Sequence, residues 1–332
     1  MCLTEHPRFS ADSFAPVAVA TRNGVDESLH LGAGVLLAID GSVANSVGDP
    51  DLAVYPRSAL KPFQAAAMVR AGLVLPPRLL AVACASHSGE RQHLDAVAEI
   101  LDLHGLTEND LANTPDRPYG ADARRAAAAA GIAPSSIQQN CSGKHAAMLA
   151  TCRINDWPTE TYLDADHPLQ VAIHAETDRL TGRPGGSVSH VGVDGCGAPT
   201  HLMPIVDVAR AFRTLVREDS AVVRAMRAEP GLVGGTGRDV SLWMRAVPGL
   251  IAKEGASGVM ALATADGRAA ALKVADGSEP VRRAVTVEML RALDVDVDGD
   301  LSGVRDEVTV RVTGHGVEVG RIMPLAWATA GS

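Results

Sequence analysis

The chain has 332 residues, 46% of them hydrophobic, and a formal net charge of -9. That length supports a large core, and an acidic balance with scattered basic residues argues against a nucleic-acid or anionic-membrane partner. No apolar run approaches membrane-spanning length, Met1–Pro7 shows neither a basic nor an apolar signal region, and five cysteines spread over the chain fit a reducing compartment, so a soluble cytoplasmic protein is expected.

In chain order, Val17 to Ala20 and Val35 to Ile39 are predicted strands, with turns at Asn23-Gly24 and Asp40-Gly41. Pro62 is tolerated only where the backbone N–H has no intrahelical partner, so the Ala65–Val69 helix is expected to start close to Ser58. Leu79 to Ala85 is a short apolar run ending in Ser86-His87-Ser88-Gly89, and an amphipathic helix follows from Glu90 to Leu103. Further helices are expected over Ala121 to Ala130, from Asn140 to about Ile154, over Leu169 to Leu180, and repeatedly between Val206 and Val247. Gly185-Gly186 begins a loop-and-strand passage ending in Val193-Asp194-Gly195-Cys196-Gly197, and Gly231–Gly237 interrupts the later helices. Gly258–Thr264 with Ala269–Val274, and Glu307–Thr313 with Gly316–Ile322, form predicted hairpins around a helix over Val281 to Leu293. Strands at both ends with helices between imply an α+β fold, one domain over 1–332, whose termini meet in a mostly antiparallel sheet beside a helical middle.

Four short segments carry the candidate chemistry. Ser58 and Lys61 sit one turn apart at an expected helix N-terminus, where an amine can take a hydroxyl proton and N–H groups can steady an oxyanion. The chain holds only four lysines, Lys61, Lys144, Lys253 and Lys273, whereas arginine, which cannot serve as a base, fills the other basic positions. Cys141 and His145 share a helical face, and with Cys196 in a glycine-flanked turn they suit a zinc site. Taken singly, each feature has an ordinary reading: Ser86 as a helix cap, His87 as a surface residue, Lys253 as a solvated loop lysine, the cysteines as small core residues. Gly143-Lys144 lacks the earlier glycine and the hydroxyl residue of a phosphate loop, and is rejected as one.

The combination Arg57-Ser58-Ala59-Leu60-Lys61-Pro62, Cys84-Ala85-Ser86-His87-Ser88, Asn140-Cys141-Ser142-Gly143-Lys144-His145 and Asp194-Gly195-Cys196, in this order, resembles the zinc-containing class 3 L-asparaginases of the asparaginase II family. The similarity extends to Gly237-Arg238 and Lys253, so it spans roughly residues 15 to 325. The resemblance implies Ser58 as nucleophile with Lys61, and Ser86 with Lys253 as a second serine–lysine dyad. It implies zinc on Cys141, Lys144 and Cys196, where spacing alone favours His145. Asp194, His145 and Arg57 are implied at the substrate, L-asparagine, in a homodimer with a fold like the serine β-lactamase and glutaminase group. Two rivals are a penicillin-recognising acyltransferase, disfavoured by the absence of Lys-Thr-Gly and Ser-Asp-Asn segments, and a zinc-stabilised binding protein without turnover.

Overall fold

The computed structural model describes residues 9–327, so the signal-region reading of Met1–Pro7 and the fifth cysteine, Cys2, lie outside the described residues. The chain opens with β1 (Ala15–Arg22), β2 (Val25–Leu37), β3 (Val43–Val47) and β4 (Ala53–Val54). A 3-10 turn, Arg57–Leu60, leads into α1 (Lys61–Arg70), followed by α2 (Pro77–Ala83), α3 (Arg91–Leu103), α4 (Ala121–Ala129), α5 (Ser142–Ile154) and α6 (Pro168–Thr181). After β5 (His190–Val193) and β6 (Pro199–Pro204) come α7 (Ile205–Arg217), α8 (Ala221–Ala228), α9 (Pro230–Val233) and α10 (Asp239–Ala246). The last part contains β7 (Ile251–Gly255), β8 (Val259–Ala263), β9 (Ala269–Val274), α11 (Glu279–Ala292), α12 (Arg305–Val308), β10 (Arg311–Gly314) and β11 (Val317–Pro324).

The expected α+β architecture is what the structure shows. The main sheet runs β10-β11-β1-β2-β9-β8-β7, with β3 added to β2, and every pairing is antiparallel. The two ends of the chain meet where β1 pairs β11, Val19 facing Met323. Asn23 and Gly24 both take positive φ, the turn that matches strand twist and closes the β1–β2 hairpin. Every residue of β8 and β9 is buried, so both faces of the sheet centre are covered. Helix α7 packs on β2, β8 and β9, and α11 packs on β1, β9 and β11. Phe212, Leu215 and Val285 are fully buried in that packing, each worth about 1.5–3 kcal/mol of apolar transfer.

The remaining helices pack among themselves beside the sheet, with α1 against α5 and α6, and α2 against α3, α5 and α8. The sequence expectations are refined at one element here and corrected at two. Leu79 to Ala83, read from the sequence only as an apolar run, is helical, and Pro77 at its first position is preset for a helix start. Residues 307 and 308 belong to α12, and the last hairpin starts only at Arg311. Lys253 lies on strand β7, every residue of which is buried, so no alternation of apolar and polar residues marks it as a strand.

Two glycines set the distances that matter. A Cβ on Gly255 would lie 2.1 Å from the Pro56 carbonyl oxygen, so only glycine lets edge strand β7 lie against the turn that holds Ser58. A Cβ on Gly143 would lie 2.3 Å from the Val82 carbonyl oxygen, and its absence lets the start of α5 sit on the end of α2. The Asn140 carbonyl accepts from His87 N at 3.1 Å as a result.

Candidate active site

Three elements converge on one hydroxyl. Lys61, the first residue of α1, donates from Nζ to Ser86 Oγ at 3.1 Å and to the Ala85 carbonyl at 2.5 Å. Lys253, from β7, donates to the same Ser86 Oγ at 2.9 Å. Ser86, just beyond α2, is 4% exposed, and the two lysines are 2% and 0% exposed. The solvated-lysine reading of Lys253 and the helix-cap reading of Ser86 therefore both fail, and the cap of α3 is Glu90 paired with His93. His87 is buried as well, its Nε2 at 2.8 Å from Ser142 Oγ and its ring stacked on His93. Burial, followed by the nearby His93 and Lys61, lowers the His87 pKa well below the usual value and keeps the ring neutral.

Lys253 gives up its proton more readily than a lysine in water. Desolvation lowers its pKa to about 8, Glu254 pulls it back upward, and Lys61 adds a further downward push. A serine hydroxyl carries one proton and two lone pairs, so a neutral Lys253 amine would accept the Ser86 proton while Lys61 still donates to that oxygen. The arrangement can thus pass a proton between the two lysines through Ser86.

Ser58 lies in the 3-10 turn, not at the cap of an α-helix. The turn begins at Arg57, whose φ of +56° is in the left-handed region, a strain of roughly 1 kcal/mol or more for a residue with a Cβ. The Ala59 and Lys61 N–H groups already donate within the turn, to Pro56 and Ser58 carbonyls, so they are not the free helix-end donors expected from the sequence. Ser58 is half-buried, and among the described residues its hydroxyl has no hydrogen-bond partner. The structure therefore joins Lys61 to Ser86 and leaves Ser58, three residues earlier, unengaged. Arg57 reaches Asp194, with Nε at 2.7 Å and Nη2 at 2.5 Å from Oδ1. Asp194 opens the β5–β6 turn, where burial opposes ionisation but Arg57 and Lys144 outweigh it and lower the pKa.

The same turn delivers Cys196 to the start of α5. Lys144 Nζ lies 3.1 Å from Cys196 Sγ, and Cys141, at the N-cap position of α5, packs against Cys196 while its Sγ donates to Asn140 Oδ1 at 3.2 Å. The adjacent Cys141 thiol, with Lys144 also contributing, lowers the Cys196 pKa to about 4, while Cys141 is raised. His145 turns elsewhere: its Nδ1 is 2.8 Å from the Tyr162 hydroxyl, and its buried Nε2 has no partner. So Lys144, not the His145 favoured by spacing, stands beside the thiols. Among the described residues no group of three or more His, Cys, Asp or Glu side chains could hold a metal. Any ion held here would need Cys141, Cys196 and the Lys144 amine, and two sulfurs with one nitrogen are a donor set that suits zinc.

A profile of the L-asparaginase II family matches residues 18–324. The chain belongs to that family. Membership makes it an asparaginase-type amidohydrolase with a small-molecule substrate. No curated protein matches the chain.

The asparaginase II motifs named from the sequence thus occupy one neighbourhood, grouped as Lys61–Ser86–Lys253, Arg57–Asp194 and Cys141–Lys144–Cys196, with His145 set against Tyr162. A groove of about 700 Å³ lined by Leu36–Asp40, Arg213, Arg217 and Arg268 includes none of these residues, so chemistry and not surface volume marks the site. Among the described residues no helix is long and apolar enough to cross a membrane, and Cys84, Cys141, Cys152 and Cys196 are free. Sequence reasoning passed over Glu254, which bonds Lys253, and gave Arg238 no role beyond its place in the motif. The only signal for Glu254 was its position next to an isolated lysine, and Tyr162 gave none.

Proposed function

We propose that this protein hydrolyses L-asparagine to L-aspartate and ammonia through an acyl-enzyme on Ser58. The observation that carries this reading is a buried serine hydroxyl held between two buried lysines, next to a second serine that is accessible and unengaged. An attacking oxygen has to reach substrate, which favours Ser58, and Ser86 is suited to relay. A neutral Lys253 draws a proton from Lys61 through Ser86, and the freed Lys61 amine takes the Ser58 proton as Oγ attacks the amide carbon. Lys61 then returns the proton to the departing nitrogen, ammonia leaves, and water hydrolyses the ester to aspartate. Arg57 and Asp194 match the carboxylate and ammonium of an amino-acid substrate, and the family resemblance puts His145 near the same end. Cys141, Lys144 and Cys196 would hold zinc, which supplies a fixed positive charge that braces the Asp194 turn when bound.

Ammonia release over a panel of amides, with peptide mapping of acid-quenched enzyme, tests this reading. Asparagine should be turned over and the acyl group found on Ser58. Ser58→Ala should stay folded and lose several orders of magnitude in rate, roughly 10³-fold or more. Activity within tenfold of the parent, or an acyl group on Ser86, would move the nucleophile. Acylation by a penicillin without asparagine turnover would favour the penicillin-recognising rival.

A further inference from the structure

We propose that Glu254 and Arg238 are positioning residues, which aim the Lys253 amine at Ser86 and set the pH at which it gives up its proton. The inference rests on Lys253 being the base at the far end of the proposed Lys61–Ser86–Lys253 relay. Glu254 Oε1 lies 2.9 Å from Lys253 Nζ and 2.9 Å from Arg238 Nη2, so one carboxylate oxygen serves both cations. Arg238 Nη1 also donates to the Ser86 main-chain oxygen at 3.1 Å. The guanidinium is itself held over the Tyr119 ring, 4.5 Å from its centroid, and the Tyr119 hydroxyl bonds Glu279 at 3.0 Å. One side chain therefore fixes both the backbone of the relay serine and the carboxylate that orients its lysine.

The energetics point away from a purely structural role. Glu254 is 7% exposed, and its second oxygen is buried without a hydrogen-bond partner. A half-satisfied buried carboxylate stabilises a fold less than an apolar side chain of the same size, so its use here is electrostatic. Lys253 is faced by Lys61 from the head of α1, Cys84 from the end of α2, Arg238 from the turn before α10, and Glu254 beside it on β7. Glu254 is in turn faced by Arg282 of α11, which is paired with Asp239. Among these, Glu254 is the group that favours a charged Lys253, whereas Lys61 and Arg238 oppose it.

The two substitutions should therefore move the same titration in opposite directions. Because the chain has four lysines, their side-chain signals in lysine-labelled protein can be assigned by single replacements and followed with pH by NMR. Glu254→Gln keeps an acceptor but removes the charge, and should lower the Lys253 midpoint by about one unit or more. Arg238→Gln should raise it, and Arg238→Lys should restore it toward the parent. The rising limb of the kcat profile should follow each change. Unmoved Lys253 midpoints in both variants overturn the proposal, and if Glu254→Gln does not fold, Arg238→Gln decides alone. Lys253 midpoints that move while the kcat limb stays fixed would uphold the pair's hold on Lys253 and remove that lysine from the reaction.

Discussion

Lys253 and Lys144 are both sealed from solvent within one site, yet their environments drive them in opposite directions. Desolvation pushes each toward the neutral amine. Beside Lys253, the Lys61 and Arg238 cations add to that push, and Glu254 only partly reverses it, which leaves a pKa of about 8. Beside Lys144, Cys196, Cys141 and Asp194 outweigh burial and raise the pKa above the ordinary lysine value. Burial alone therefore does not make a lysine a base. The sign of the neighbouring charge decides, and it separates an amine poised to accept a proton from one poised to neutralise sulfur.

The sharpest way to break this contrast is to make one of the two amines on Ser86 permanently cationic. Lys61→Arg and Lys253→Arg place guanidiniums at positions that the proposed relay takes through a neutral amine, and guanidinium stays charged at every usable pH. Each variant should lose roughly 10³-fold or more in kcat/KM with no recovery at high pH. The parent should gain activity from pH 7 upward, with a limb near the Lys253 pKa of about 8. A profile of kcat/KM against pH measures both. A parent optimum on the acid side of neutrality, or an arginine variant within tenfold of the parent, would remove lysine from base duty.

The other half of the contrast predicts a different kind of loss. The Cys141–Lys144–Cys196 cluster should carry about one zinc per chain, and Cys196→Ser or Cys141→Ser should lower that content. KM should rise about tenfold to a hundredfold while kcat changes less, because the cluster braces the Asp194 turn and takes no part in proton transfer. Elemental analysis with steady-state kinetics gives the answer. A chelated protein with unchanged KM and unchanged melting temperature would contradict it.

Which parts of this were legible in the sequence follows from physical range. The β1–β2 hairpin was visible because Asn23-Gly24 encodes its own turn, and α3 because its apolar residues recur at helical spacing. Strand β7 was not, since a strand buried on both faces shows no alternation, and Lys253 read as a loop residue for that reason. The identities of the candidate site residues were readable as short motifs, but their partners were not. Ser58-x-x-Lys61 suggested a dyad by spacing, whereas the packing of α1 beside the end of α2 puts Lys61 on Ser86. Likewise Cys141 and His145 share a helical spacing, but Tyr162, seventeen residues beyond His145 in the chain, takes the imidazole. Contacts between distant segments depend on packing that no local pattern records.

The smallest expected effect is on stability, and it isolates the sign of the Lys253 shift. The folded-state pKa of about 8 lies below the ordinary value of 10.5, so burial has depressed it. Below pH 8 the ammonium is present in folded and unfolded chains alike, and its burial penalty is constant. Between about pH 8 and 10 the folded chain gives up the proton that the unfolded chain keeps, so folding releases a proton and stability rises with pH. The contribution over that window is roughly 2 kcal/mol. Lys144, raised by Cys196, Cys141 and Asp194 against the effect of burial, acts in the opposite sense, with its contribution lost only at still higher pH. Lys253→Met removes the first effect and leaves the second, so urea unfolding of parent and variant at about pH 7.5 and pH 10 should show a smaller gain with pH in the variant. Equal gains in the two proteins would mean that Lys253 keeps an ordinary lysine pKa in the folded state, and the electrostatic contrast between the two lysines would fall with it.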